Sequence, residues 1–350
     1  MSVLKFNLNG THVELSNPDP TWTLIQYLRS VNLTGTKLGC AEGGCGACTV
    51  QIEDFNGPPQ AVNSCLALLC NMNGKSITTC EGVGTTKKPH HIQKLIAKCG
   101  SQCGYCTPGF VMSAYTYSQN PQVDIENVFD GNLCRCTGYI PILEAMDEVK
   151  QVEKQIQYED GVISNVEQIF TKNNHSFFLP NTVASLLELY NSVPNAKLVA
   201  GNTEIGIEVK FKGKEYINLI STKNVKELEF IREEEKYIEF GSGVTLTQMR
   251  IKLESYVLHT DKNKMGFRAI LDSLKWFAGN QIRNVATWAG NIATGSPISD
   301  LSPTLLALGC SLVFMSVNRK RIVKMDEFFI GYRKNALNAN EILYSLSKLY

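Results

Sequence analysis

Eight cysteines in the N-terminal part of the chain form two groups of four whose spacing suits metal binding. The first group has a C-x4-C-x2-C pattern with a fourth cysteine farther on, and comprises Cys40, Cys45, Cys48 and Cys65. The second group pairs C-x2-C with a later C-x-C, and comprises Cys103, Cys106, Cys134 and Cys136. The first spacing is that of plant-type ferredoxins, where four thiolates hold one two-iron, two-sulfur (2Fe-2S) cluster. Because such a cluster carries single electrons, this spacing predicts electron transfer.

Glycines within the first group strengthen the cluster prediction. A cluster with inorganic sulfides needs a loop that wraps closely and points backbone N–H groups at the sulfur charge, and Gly43, Gly44 and Gly46 allow that approach. A four-cysteine zinc site is the alternative. Zinc sites are usually built from two separated pairs of cysteines, and three ligands between Cys40 and Cys48 fit that pattern poorly.

The spacing of the second group fits zinc and a 2Fe-2S cluster equally well. Each of its cysteine pairs, however, precedes an apolar run with helical character, from Phe110 to Tyr115 and from Ile142 to Val149. The N–H groups and dipole at a helix N-terminus stabilise anionic sulfur. The sequence therefore predicts two antiparallel helices that clamp one cluster between their ends.

Three strings resemble the xanthine dehydrogenase and aldehyde oxidase family of molybdenum hydroxylases. They are GCAEGGCGACTV from Gly39, GSQCGYCTPG from Gly100 and GNLCRCTGY from Gly131. The resemblance covers nearly the whole chain and implies two 2Fe-2S clusters, FAD and a large molybdenum-cofactor domain. It also favours Cys65 as the fourth ligand of the first cluster over Cys70, which lies on the same apolar run. The remaining cysteines are expected to be small buried apolar residues.

A second region predicts a flavin site only with the help of this resemblance. Lys197 to Ala200 and Ile207 to Phe211 are expected to be strands, joined by a glycine-bounded turn. Such a turn offers backbone N–H groups to a pyrophosphate, but most turns of this kind bind nothing. The fingerprint G-x-G-x-x-G is absent, so a Rossmann site is excluded.

The resemblance assigns specific residues to FAD. The first pyrophosphate loop would comprise Leu198, Val199, Ala200, Gly201, Asn202, Thr203, Glu204 and Ile205, and the second loop Thr287, Trp288, Ala289, Gly290 and Asn291. Phe277 would lie beside the flavin, and Asp300 would contact the polar part of the adenine nucleotide. Ala289 departs from the family, which usually has paired glycines here, and its methyl group is expected to crowd the phosphate. Trp276 and Trp288 are expected to be core aromatics.

The predicted fold class is α+β with several domains. A β-grasp ferredoxin domain is expected at 1–88, a four-helix 2Fe-2S bundle at 89–156, a linker at 157–173 and an FAD-binding domain of the vanillyl-alcohol-oxidase (PCMH) type at 174–350. The family continues beyond this length. The last domain is therefore expected to be incomplete at its C-terminal end, with molybdopterin in a missing domain or a separate chain.

Composition excludes some partners. The 350 residues carry 34 basic and 33 acidic side chains, which gives no electrostatic reason to expect nucleic acid or a membrane surface. No apolar run approaches the ~20 residues of a membrane span, so a cytoplasmic location is expected. The twelve cysteines then indicate ligands and free thiols, not disulfides.

The expected function is electron transfer within a xanthine dehydrogenase-like enzyme. The resemblance implies a molybdenum-cofactor domain or chain as electron donor, NAD or oxygen as acceptor, and a homodimer in the full-length family. The chain alone is expected to lack hydroxylase activity. Two alternatives stay open: a self-contained iron-sulfur flavoprotein reductase, and a non-catalytic truncated product.

Overall fold

The N-terminal part is a five-stranded sheet that wraps one helix. In the computed structural model, which describes residues 2–54, 57–121, 124, 127–149, 166–259 and 264–349, the strand order is β2-β1-β5-β3-β4. These elements are β1 (Leu4–Leu8), β2 (Thr11–Leu15), α1 (Leu24–Ser30), β3 (Thr49–Glu53), β4 (Gln60–Asn63) and β5 (Ser76–Thr78). Asn9 and Gly10 both have positive φ, as a tight two-residue hairpin between β1 and β2 requires. We call this part the ferredoxin-type domain.

Helix α1 covers the inner face of this sheet. Leu24 and Leu28 are fully buried against Phe6 and Val50, and Thr23 forms a capping box with Gln26 at the start of the helix. Two of the cysteines lie next to the strands of this sheet, one before β3 and one after β4. Cys48 precedes β3 and Cys65 follows β4, so the sheet fixes both backbone positions.

Four helices follow, and we call them the helical domain. They are α2 (Cys80–Val83), α3 (His91–Cys99), α4 (Thr107–Gln119) and α5 (Ile140–Asp147). Buried side chains such as Ile96, Phe110 and Ile142 form their common core. Cys106 is the N-cap of α4, and Cys134 and Cys136 precede α5, so both cysteine pairs lie near helix N-termini.

The rest of the described chain contains two larger sheets and a two-stranded sheet of β14 and β15, and we call it the flavin-type domain. The first has the order β6-β7-β9-β8 and is built from β6 (Gln168–Lys172), β7 (His175–Leu179), α6 (Val183–Ser192), β8 (Ala196–Val199), α7 (Ile205–Lys212) and β9 (Asn218–Ser221). The prediction of a strand at Ile207 to Phe211 was wrong. Its alternating apolar pattern suggested a strand, yet Val209 and Phe211 are exposed on α7, while Gly206 and Glu208 are buried.

The second sheet is antiparallel, in the order β10-β11-β16-β12-β13, with helices around it. The elements are β10 (Ile231–Glu233), β11 (Tyr237–Gly241), α8 (Leu246–His259), α9 (Lys264–Lys275), α10 (Asn280–Arg283), α11 (Trp288–Ala293), α12 (Ser302–Ala307), β12 (Ser311–Met315), β13 (Lys320–Lys324), α13 (Met325–Phe328), β14 (Phe329–Gly331), β15 (Lys334–Asn335) and β16 (Ile342–Leu349). The combination of β-grasp, helical and flavin-type parts confirms the predicted α+β class. None of the described helices is long and apolar enough to cross a bilayer.

The two tryptophans have opposite environments. Trp288 is fully buried and its indole N–H donates a 2.8 Å hydrogen bond to the Gly241 carbonyl, as expected of a core aromatic. Trp276 is 80% exposed, so its assignment to the core was wrong. It directly follows the last residue of helix α9, and the Lys275 ammonium lies over its ring.

All three parts meet at one buried junction. The Gln281 side-chain amide donates to Asn132 Oδ1 at 2.8 Å, and at 3.3 Å to both Thr49 Oγ1 and Ser113 Oγ. Nearby, Arg283 forms an ion pair with Asp130 of the helical domain. These contacts fix how the flavin-type domain sits on the two cysteine-bearing domains.

Gly109 of α4 packs on the backbone of the ferredoxin-type domain close to this junction. Alanine normally favours a helix over glycine by about 1 kcal/mol. Here a Cβ on Gly109 would overlap the Gly46 carbonyl oxygen and lie 3.1 Å from Ala47 Cα. We therefore expect Gly109→Ala to lower the free energy of unfolding, by about 1 to 3 kcal/mol. Chemical denaturation measures this change, and an unchanged or raised stability would contradict the tight junction.

Candidate iron-sulfur and flavin sites

The first cysteine group is arranged as two pairs. The Cys40 backbone N–H points at Cys45 Sγ at 3.3 Å, and the Glu42 N–H points at Cys40 Sγ at 3.4 Å. The Cys48 and Cys65 thiols interact directly with one another, and Cys48 Sγ also lies 3.5 Å from Asn63 Oδ1. Cys40 and Cys45 are partly exposed, whereas Cys48 and Cys65 are buried.

The surroundings of Cys65 favour its thiolate. A hydrogen bond from the Cys48 thiol, together with the nearby Lys210 ammonium and the Gly43 N–H, lowers the pKa of Cys65 to about 7 against the opposing effect of burial. Lys210 donates to the Ala41 carbonyl at 3.1 Å and to the Cys65 carbonyl. Thiolates are the form that binds metal, so these contacts suit a ligand. Cys70 lacks them. It is buried among apolar residues, and burial raises its pKa.

Two glycines, Gly39 and Gly43, allow the loop around this cysteine group to pack closely. Gly43 has a φ of +82°, and a Cβ there would lie 2.7 Å from Leu66 Cδ1 and 2.8 Å from Ile282 Cδ1. A Cβ on Gly39 would lie 2.7 Å from Cys45 Sγ. Gly44 has open space around its Cβ position, so no contact with the protein itself requires glycine there.

The second group is also arranged as two pairs, Cys106 with Cys134 and Cys103 with Cys136. The Thr137 hydroxyl lies 3.1 Å from Cys134 Sγ, and the Cys134 N–H donates to the Tyr139 hydroxyl at 3.1 Å. Cys134 is buried, Cys106 is partly exposed, and Cys103 and Cys136 are exposed. This site therefore opens toward solvent on the side of Cys103 and Cys136.

Each cysteine group presents its four thiols as two contacting pairs. A 2Fe-2S cluster needs four thiolates shared between two irons, which two pairs can supply. The residues present fit this cluster, with Cys40, Cys45, Cys48 and Cys65 at one site and Cys103, Cys106, Cys134 and Cys136 at the other.

The first flavin segment, residues 198–205, connects the end of β8 to the start of α7. Asn202 has a φ of +59°, and its side-chain amide donates to the Leu66 carbonyl at 2.8 Å. Gly201 packs directly on the backbone of Val285, where a Cβ would lie 2.6 Å from the carbonyl carbon. The turn therefore contacts both the ferredoxin-type domain and the segment before α11.

The second flavin segment begins α11. Thr287 is the N-cap and its hydroxyl accepts the Gly290 N–H at 3.0 Å, while Asn291 Oδ1 accepts from the Ser299 hydroxyl at 2.8 Å. The Ala289 side chain packs into the buried core of the flavin-type domain. Whether its methyl group crowds the phosphate stays a prediction.

Two further residues complete the predicted set. Phe277 packs, partly buried, against the core of the flavin-type domain, and Asp300 is exposed. Because Gly201 packs against Val285, just before the second segment, residues 198–205 and 287–291 are near neighbours. Their assignment to the two sides of an FAD pyrophosphate site stays a prediction.

Sequence reasoning missed Lys210, Leu66 and Gln281. Each acts through contacts between domains, and none carries a local motif. Only the packing of α7 and α10 on the ferredoxin-type domain reveals them.

Comparison with known families matches the three parts in the same order. A "2Fe-2S iron-sulfur cluster binding domain" matches residues 6–73, a "[2Fe-2S] binding domain" matches 79–147, and an "FAD binding domain in molybdopterin dehydrogenase" matches 171–347. These matches define an iron-sulfur flavoprotein with two 2Fe-2S domains and an FAD-binding domain.

Curated relatives extend the comparison to nearly the whole chain. Xanthine dehydrogenase of Drosophila subobscura is 39% identical over 99% of this chain, and xanthine dehydrogenase/oxidase of Rattus norvegicus is 38% identical over 99%. The chain spans 30% of the length of each of these relatives. A carbon monoxide dehydrogenase structure from Hydrogenophaga pseudoflava is 25% identical with a TM-score of 0.45, covering 49% of this chain and 58% of that one. The chain belongs to the xanthine dehydrogenase and aldehyde oxidase family of molybdenum hydroxylases.

Proposed function

We propose that this chain is the electron-transfer portion of a xanthine dehydrogenase-like enzyme. Electrons would enter from a molybdenum-cofactor domain or chain, cross the helical and ferredoxin-type domains, and leave from the flavin-type domain to NAD or oxygen. When bound, the two clusters supply one-electron steps and FAD joins them to two-electron chemistry. The observation that carries this proposal is the order in which direct contacts connect the three sites.

One hydrogen bond connects the two cysteine groups. The backbone N–H of Leu133, the neighbour of Cys134, donates to the carbonyl of Cys45 at 2.9 Å. Asn132 Nδ2 donates to the Gly46 carbonyl at 3.2 Å beside it. Cys134, a proposed ligand of one site, is thus the chain neighbour of a residue that is hydrogen-bonded to Cys45, a proposed ligand of the other.

A second set of contacts connects the first cysteine group to the flavin segments. Asn202 bonds to the Leu66 carbonyl, directly after Cys65, and Lys210 bonds to the Cys65 carbonyl itself. Ile282 packs near Gly43 of the cluster loop. The helical domain also contacts the flavin-type domain, through Gln281 and Arg283. Among the described residues, however, only the ferredoxin-type domain donates or accepts a hydrogen bond with residues 198–205 across a domain boundary, which supports placing its site between the other two.

The exposed end of this series fits an external electron donor. Cys103 and Cys136 are exposed, while Cys48 and Cys65 are enclosed by protein. Burial of Cys48 and Cys65 shields that side of the ferredoxin-type site from water. The open side of the helical site leaves room for a donor to approach.

The proposed order of the three sites can be tested in the reverse direction, with NADH as the electron donor to FAD. In FAD-loaded protein, NADH is expected to reduce both clusters. Cys65→Ser should prevent reduction of the helical-domain cluster, whereas Cys136→Ser should leave reduction of the ferredoxin-type cluster intact. Rapid-freeze electron paramagnetic resonance measures each signal. Unimpaired reduction of the helical-domain cluster in Cys65→Ser protein would refute the proposed order.

A further inference from the structure

A cavity of about 730 Å³ lies between the ferredoxin-type and flavin-type domains. Its volume is within the range of small-molecule sites, about 300 to 1,000 Å³. The ferredoxin-type wall includes Asp54 and Lys75, and the flavin-type wall includes Lys223, Ile251 and Lys252. Neither the cysteine groups nor the second flavin segment lines it.

The cavity has an excess of positive charge. Four lysines line it, Lys75, Lys223, Lys226 and Lys252, against two carboxylates, Asp54 and Glu229. Three of the lysines already have acidic partners: Lys75 pairs with Asp54, Lys226 with Glu229 at 2.9 Å, and Lys252 with Glu233 at 3.2 Å.

Lys223 differs from the other three. Its ammonium group forms no salt bridge or side-chain hydrogen bond with any residue in the described part of the chain. Burial lowers its pKa, and the neighbouring Lys75 and Lys226 lower it further against the attraction of Glu229 and Asp54. A partly buried ammonium with no direct partner is stabilised by an anion that enters the cavity.

The remaining walls are apolar on both sides. Val62, Leu66 and Leu68 face the cavity from the ferredoxin-type domain, and Ile231, Ile251 and Ile282 from the flavin-type domain. Apolar side chains contributed by both domains suit an apolar body, because its surface leaves water on binding. The cavity thus combines an apolar lining with one unpaired cation.

This cavity overlaps the predicted flavin segments only in part. It shares Ala200, Gly201 and Thr203 with the first flavin segment. Phe277, Asp300 and residues 287–291 take no part in its lining.

We propose that the cavity binds a small apolar monoanion, with its carboxylate on the Lys223 ammonium and its apolar body against side chains such as Leu66 and Ile251. Recognition needs neither cluster reduction nor NADH, so the proposal stands apart from the electron-transfer function.

The test compares 2-naphthoate with the neutral 2-naphthamide by isothermal titration calorimetry on the FAD-loaded protein. Naphthoate is expected to bind at one site, with at least tenfold higher affinity than the amide, because the carboxylate forms a charge-assisted hydrogen bond. Lys223→Met keeps the apolar stem and is expected to weaken naphthoate about tenfold while leaving the amide unchanged. Lys223→Arg should retain binding, and Lys252→Met, which removes an already paired lysine, should weaken it less.

Two results would overturn the proposal. One is equal binding of naphthoate by the parent and Lys223→Met proteins when both retain their iron and unfolding temperature. The other is competition between naphthoate and FAD, which would make this cavity part of the flavin site. Neither result bears on the order of cluster reduction, so failure here is distinguishable from failure of the proposed function.

Discussion

Replacement of Cys65 by serine is expected to remove one of two paramagnetic signals from the reduced protein and to lower iron from about four to about two atoms per chain. The reason is that Cys65 completes the pair with Cys48, and the hydrogen bond from Cys48 favours its thiolate. The signal of the helical-domain cluster should persist, since Cys103, Cys106, Cys134 and Cys136 are untouched. Electron paramagnetic resonance and iron analysis measure both effects.

Cys70→Ser is the matched control, because Cys70 lies on the same apolar run. Cys70 is fully buried in the sheet core, and its sulfur has one polar contact among the described residues, to the Asp19 carbonyl at 3.9 Å. The substitution should cost stability but leave both signals and all iron in place. Loss of a signal in Cys70→Ser, with Cys65→Ser unaffected, would show that the ligand assignment is wrong.

Gly201→Ala is expected to reduce FAD affinity at least tenfold and to destabilise the flavin-type domain by about 1 to 3 kcal/mol. The added Cβ would overlap the Val285 carbonyl and lie 3.0 Å from the Ala286 nitrogen. The turn must then move away from the segment that begins α11, and the two halves of the predicted pyrophosphate site separate. Flavin fluorescence on titration with FAD measures the affinity.

Gly213→Ala controls for general destabilisation in that experiment. Gly213 ends α7 with a φ of +62°, and no atom lies within 4 Å of its Cβ position. Alanine is strained there by about 1 kcal/mol, but the flavin segments are not displaced. FAD affinity should stay near that of the parent protein. An equal loss of FAD in both variants would argue against a specific role for the packing of Gly201 on Val285.

The sequence was sufficient where short-range chemistry decides the structure. The cysteine spacing and the hairpin at Asn9 and Gly10 are local signals, and the sheet and helices of the two N-terminal parts follow them. The α+β class and the family were likewise predictable from the motifs.

Packing between distant elements was not predictable from local pattern. The alternation from Ile207 to Phe211 resembles a strand, but Glu208 is buried on a helix, where it bonds to Lys214 at 2.8 Å and Tyr216 at 2.6 Å. Trp276 looked like a core residue because its size and apolarity are intrinsic, whereas its exposure depends on the direction of α9. The Gln281 junction joins residues that are far apart in sequence, so no window of the chain contains its signal.

Iron, acid-labile sulfide and zinc in the purified chain test the central claim most directly. Two groups of four cysteines, each arranged as two contacting pairs, predict about four irons and four labile sulfides per chain. The visible absorption of this protein should bleach with dithionite. Stoichiometric zinc without labile sulfide would contradict the account. The cysteine groups would then bind zinc ions, which have no redox chemistry and cannot transfer electrons.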